Sequence, residues 1–157
     1  MLSWLVPRRA DNAYRGHRLG LWCFGLLVLA KTGIGLGSIF NGYGAATSAD
    51  GIPLDSFTPA GARTVLSLFA LLGLSQVLIC LVCLLVLARY RALVPVMFVV
   101  LLLYQLGRYL ILHFLPIPRT AAPPGFAINL ALLGVMIVGL ALSLREPGAV
   151  RSITGSP

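Results

Sequence analysis

The stretch that decides the fold is residues 64–114, TVLSLFALLGLSQVLICLVCLLVLARYRALVPVMFVVLLLYQLGRYLILHF. Two apolar runs, 64–88 and 92–114, flank the short connection Arg89, Tyr90 and Arg91. Crossing the hydrocarbon of a bilayer takes about 20 apolar residues, so each run is long enough to span. A connection this short makes the chain turn back at once, which predicts an antiparallel helical hairpin. Pro95 falls in the first turn of its run, where a missing backbone donor costs little.

Working outward, residues 19–40 form an apolar run interrupted by Lys31 and by Gly33, Gly35 and Gly37, and residues 125–144 form another that Pro147 ends. Between the first two runs lies the longest loop, 41–62, which carries Asp50 and Asp55 and neither Lys nor Arg. Thr58 followed by Pro59 has the form of a helix start, with Thr as cap and Pro at the first helical position. The loop LPIPRTAAPPG, 115–125, is stiffened by its prolines. A cleaved signal peptide is the rival reading of the first run, but a long polar stretch precedes the apolar core and the small residues Ala45 to Ser48 lie too far down the chain.

The expected organisation is therefore an all-α polytopic membrane protein: a basic N-terminal segment 1–18, a four-helix transmembrane domain 19–144 with spans 19–40, 64–88, 92–114 and 125–144, and a tail 145–157. Of 157 residues, 59% are hydrophobic and 10% charged. Soluble domains carry about a quarter charged residues. A β-barrel is excluded by long unbroken apolar runs without strict alternation.

The net charge of +8 would suggest nucleic acid in a soluble chain, but the Arg residues fall singly between apolar runs. They read as topology signals at an anionic membrane surface. Arg8, Arg9, Arg15, Arg18, Arg89, Arg91, Arg145 and Arg151 fall on one side, against Arg63 and Arg119 on the other. That bias predicts both termini in the cytoplasm and the acidic 41–62 loop outside. Trp4 suits the headgroup level of the inner surface.

Inside the spans the polar residues are informative, since a charge at the bilayer centre costs about 2.5 to 3.5 kcal/mol even on the lenient insertion scale. Lys31 lies roughly 13 Å below the outer end of its span at about 1.5 Å per residue, further than a Lys stem reaches by snorkelling. No span contains an acidic residue to pair with it. Arg108 lies roughly 9 Å below the outer boundary. Gln105, Asn129 and these two cations fall in the outer halves of their spans, with Gln76 near the middle of its own and Tyr104 beside Gln105.

Lys31, Gln76, Tyr104, Gln105, Arg108 and Asn129 are thus the candidate ligand-binding residues, converging on an outward-opening cavity with two positive charges and no internal counter-charge. Such a cavity favours a carboxylate, a phosphate or a polarised carbonyl. The competing reading makes Gln76, Gln105 and Asn129 interhelical hydrogen-bond glue worth about 0.6 kcal/mol each. Gly33, Gly35 and Gly37 are the candidate helix-packing residues, because small side chains let a second helix approach closely.

Catalytic chemistry is poorly represented. Cys80 and Cys83 form a CxxC whose spacing resembles that of the membrane thiol oxidoreductases related to vitamin K epoxide reductase. Those enzymes carry shuttle cysteines in an outward loop, and the 41–62 loop has none. Burial among Leu, Val and Ile also disfavours a thiolate, so packing is the expected role, shared with Cys23. His17 and His113 fall at opposite ends of the expected topology and offer no metal or haem site. Asp50 and Asp55 read as solvated loop acids.

The stretches RGHRLGLW (15–22), GSIFNGY (37–43) and SADGIPLDSFTPAGA (48–62) resemble small four-helix proteins of bacterial inner membranes. That resemblance implies a multi-pass bacterial inner-membrane location and carries no assigned activity with it. The preference for Arg over Lys, eleven to one, fits a GC-rich bacterial genome. The expected function is that of a non-enzymatic integral membrane protein, an accessory subunit or homo-oligomeric packing module. The alternative is a small transport or ligand-binding bundle for an anionic or quinone-like molecule, using Lys31 and Arg108. The bilayer is the expected partner, with self-association or a membrane-protein partner beside it. No nucleic acid, cofactor or metal is expected.

Overall fold

The computed structural model describes residues 11–119 and 123–145. Trp4, Arg8, Arg9, Pro147 and Arg151 lie outside the described residues, as do most of the basic N-terminal segment and of the tail. Among the described residues the protein is all-helical, and four helices are long and apolar enough to cross a membrane. They are α1 (Arg18–Phe40), α2 (Pro59–Arg89), α3 (Val94–Phe114) and α4 (Pro124–Ser143).

Local chemistry sets the helix ends. His17 caps α1, its Nδ1 accepting from the Leu19 N–H at 3.2 Å. Thr58 caps α2, its Oγ1 accepting from the Gly61 N–H at 3.2 Å, and Pro59 takes the first helical position. The cap sets α2 going before the apolar run at residue 64 begins. At 31 residues α2 is about 46 Å long, longer than the hydrocarbon is thick. Its first turns support the segment that connects it to α1.

That connection is folded. It winds through short helical turns at Gly42–Gly44, Ala45–Ala49 and Leu54–Ser56, with Gly51 at φ 71°, a left-handed conformation that suits glycine. Ala46, Ile52 and Leu54 are buried and pack on Val65, Leu66 and Phe69 of α2. Residues 42–57 thus form a cap seated on one end of the helices.

The start of α1, the α2–α3 junction and the end of α4 meet at the opposite end. There the His17 N–H donates to the Leu142 carbonyl at 3.1 Å, and the Ala92 N–H to the Asp11 carbonyl at 3.3 Å. Tyr14 packs against the core nearby, and burial, with a smaller contribution from Cys23, pushes its phenol up to about 12. At the cap end, the Ala49 carbonyl lies against Gly125 of α4.

Helix α1 is central, packing chiefly on α2 and α4, and α3 lies mainly against α4. The core is built around Phe24 and Phe98, whose rings meet edge to face at 5.1 Å, with Leu27, Val28, Leu101 and Met136. Cys80 and Cys83 are buried in it as free thiols. The outward faces carry exposed Leu29, Leu71, Leu103 and Ile137. Large apolar areas of this kind suit hydrocarbon, because the helices satisfy their own backbone groups.

Glycines permit the close approaches between the helices. A Cβ at Gly73 would stand 2.6 Å from the Gly35 carbonyl oxygen, so α1 and α2 cross backbone to backbone. A Cβ at Gly139 would run into the Phe98 ring. A Cβ at Gly33 or Gly37 would meet nothing within 4 Å. Among the described residues, Gly35 alone of the three candidate packing glycines meets a neighbouring helix. Accordingly, Gly73→Ala should lower stability by about 1–3 kcal/mol through overpacking, whereas Gly33→Ala and Gly37→Ala should be neutral or gain up to about 1 kcal/mol from helix propensity. Melting temperatures of the three variants in one detergent check this; equal destabilisation by all three would contradict the crossing.

Candidate functional site

Lys31 sits on the inward face of α1 and is 3% exposed. Its ammonium donates to Gln105 Oε1 of α3 at 2.7 Å, in the range of a charge-assisted bond. Its Nζ lies 5.9 Å from the centre of the Tyr104 ring, within reach of a cation–π attraction. Gln105 then donates from Nε2 to Asn129 Oδ1 of α4 at 3.4 Å, and Asn129 donates from Nδ2 to the Gly125 carbonyl at 2.8 Å.

The relay runs in one direction. An ammonium offers donors only, so the Gln105 amide must turn its oxygen inward, and its NH2 then points onward to Asn129. Each bond polarises the next. Three helices are joined by side chains that lipid could not solvate.

At the cap end of this relay lies a cavity of about 280 Å³. Helix α3 supplies its wall through Gln105, Arg108, Tyr109, Leu112 and His113, whose spacing of three and four residues makes a single stripe. Asn129 and Phe126, one turn apart on α4, close another side, and Arg119 and Ile117 come from the segment after α3. Tyr109 and Phe126 meet edge to face at 6.2 Å.

The cap contributes Asp50. Its Oδ2 lies 3.7 Å from Arg108 Nη2, with the Asp50 side chain 18% and the Arg108 side chain 38% exposed. Asp50 is therefore not the solvated loop acid expected from sequence: the folded cap brings it onto α3, and the cavity has a counter-charge. Asp55 is also engaged, accepting from the Tyr43 hydroxyl at 3.0 Å. That hydrogen bond, then the carboxylate's charge and a little burial, raise the Tyr43 phenol above its ordinary value.

The six candidate residues thus divide. Gln105, Arg108 and Asn129 line the cavity. Lys31 lies behind them and acts on the cavity through Gln105, and Tyr104 faces Lys31. Gln76 stands apart, its Nε2 3.5 Å from Cys80 Sγ.

Asp50, Tyr109, His113, Arg119 and Phe126 also stand in the wall, and none of them was among the site residues expected from sequence. The stripe on α3 was a usable signal for Tyr109 and His113. Pairing of Asp50 with Arg108 had none, since it depends on how the cap folds. The cavity offers guanidinium, phenol, imidazole and amide groups, which suit holding an anion by several donors. Among the described residues no group of three His, Cys, Asp or Glu converges as a metal site would require. No family model, curated protein or solved structure matches the chain.

Removing the acceptor from Lys31 while keeping the charge should be costly. Gln105→Leu is expected to destabilise by about 1.5–3 kcal/mol, the worth of a hydrogen bond to a charged group. Adding Lys31→Met should recover most of the loss, because both partners then become apolar. Unfolding in detergent of the two single variants and the double variant checks this; additive losses would contradict the pairing.

Proposed function

We propose that the chain is a multi-pass protein of a bacterial inner membrane, an antiparallel four-helix bundle with both termini in the cytoplasm, which binds an anionic molecule at its outer end without transforming it. The excess of Arg at the end holding Arg18, Arg89, Arg91 and Arg145 supports this orientation under the positive-inside rule. The cap and the cavity then face outward.

The observation that carries the binding reading is the convergence of Arg108, Arg119, His113 and Tyr109 on one cavity whose floor includes the buried Gln105. Pockets with a few convergent polar groups on otherwise apolar walls are the usual form of small-ligand sites. Among the described residues of the wall no nucleophile is paired with a base, so binding is favoured over catalysis. A second reading, self-association, draws on the open space beside Gly33 and Gly37 on α1.

Two measurements test the proposal. A probe cysteine at Ser48, in a variant with Cys23, Cys80 and Cys83 replaced, should be labelled by an impermeant thiol reagent from outside; labelling only after the cytoplasmic face is opened would reverse the orientation. Purified protein should also gain melting temperature with millimolar phosphate or succinate at constant ionic strength. Arg108→Lys keeps the charge but loses the planar fork, and it should give up most of that gain. An equal response from wild type and variant would reject the anion site.

A further inference from the structure

Resting on the anion-binding reading above, we infer that the cavity seats the singly charged phosphodiester head of an outer-leaflet phospholipid, held between Arg108 and Arg119, with its acyl chains leaving across Leu112 and Phe126 into the bilayer.

Charge favours an anionic head. Arg108 and Arg119 bring two positive charges and Asp50 one negative, and the Lys31 ammonium stands behind Gln105, so the cavity is net positive. A phosphodiester, with its one negative charge, is drawn to it. Asp50 does not block the site. Its carboxylate is engaged by Arg108, and its Oδ1 lies beside the first turn of α4, at 3.2 Å from where a Cβ of Gly125 would stand. The positive end of the helix dipole favours it there.

Arg119 has no ion pair among the described residues and is left to face an incoming anion. The Tyr109 hydroxyl is buried and has no hydrogen-bond partner among the described residues. A buried donor left unmatched costs about 1–3 kcal/mol, so the hydroxyl gains if a small movement of the ring brings it to a phosphoryl oxygen in the cavity. Together with the Asn129 amide, these donors outnumber what a single planar carboxylate takes up, whereas the oxygens of a phosphodiester are spread around a tetrahedron.

Size and walls select the lipid. The cavity is half open, and its volume of about 280 Å³ has room for a head group while acyl chains extend from its mouth. The wall is apolar on the side of Leu112, Ile117 and Phe126, and Phe126 is 51% and Ile117 37% exposed. Leu115 beside them is 71% exposed, so the apolar wall runs on to the lipid-facing surface.

The test compares three probes on the full-length protein in a neutral detergent, with binding read by native mass spectrometry and melting temperature. Phosphatidylglycerol carries head and chains, diacylglycerol the chains alone, and dimethyl phosphate the phosphodiester alone. Phosphatidylglycerol should bind at least about tenfold more tightly than either fragment, a difference of about 1.4 kcal/mol. Arg119→Gln and Tyr109→Phe should each weaken it several-fold, and Asp50→Asn should tighten it. Tyr109→Phe keeps the shape of the wall, so its effect is not one of misfolding. Dimethyl phosphate binding as tightly as the lipid, with the same dependence on Arg108, would overturn the lipid assignment and leave the anion site standing. Lipid binding indifferent to Arg119, Tyr109 and Asp50 would overturn the seat itself. If no probe bound in a manner dependent on Arg108, both the lipid and the anion reading would fall.

Discussion

The hydrogen bond from the Lys31 ammonium to Gln105 Oε1, 2.7 Å long and buried, is the constraint on which the cap-side half of the structure depends. A cation in a low-dielectric interior needs compensation, and no carboxylate lies within the four spans. A neutral amide supplies it instead. That choice fixes the orientation of Gln105, which orients Asn129, which returns to the backbone of α4 at Gly125. Tyr104 adds its ring face to the cation. Lys31 therefore determines how α1, α3 and α4 meet on the cap side of the core.

Below this layer the packing is apolar and governed by shape. Phe24 and Phe98 fill the centre, Gly139 makes room for the Phe98 ring, and Gly35 with Gly73 lets α1 and α2 touch through their backbones. Above it the chain is polar and irregular, and the cap lies against α2 through Ala46, Ile52 and Leu54. The cavity sits where these regimes meet. Its floor is made by Gln105 and Asn129, the two amides of the relay, and its rim holds the Asp50–Arg108 pair that joins cap to helix.

The helices were legible because hydrocarbon imposes a length and a composition that a single sequence displays openly. The run 64–114 with its Arg-Tyr-Arg turn is enough to expect two of them, and Thr58–Pro59 marks the start of α2. Lys31, Gln105, Arg108 and Asn129 were legible for the same reason, since polar groups inside apolar runs demand an account. What stayed hidden was tertiary. Spacing shows that Gly33, Gly35 and Gly37 permit close approach, but only the rotation of α1 decides that Gly35 meets Gly73. The cap lacks any periodic pattern, so nothing in residues 41–62 announces that Asp50 leaves solvent for Arg108. Tyr109 and His113 were not among the expected site residues, although with Gln105 and Leu112 they share one stripe of α3.

If Lys31 organises the cavity floor, its loss should be felt by a ligand it does not touch. Without the cation the Gln105 amide is free to turn over, and Asn129 loses the donor that orients it. The most direct measurement is the affinity of the purified protein for dimethyl phosphate in wild type and in Lys31→Met, with helix content followed in parallel. A folded variant whose affinity falls by about tenfold is expected, the equivalent of roughly one net hydrogen bond. A folded variant that binds as tightly as wild type would contradict it.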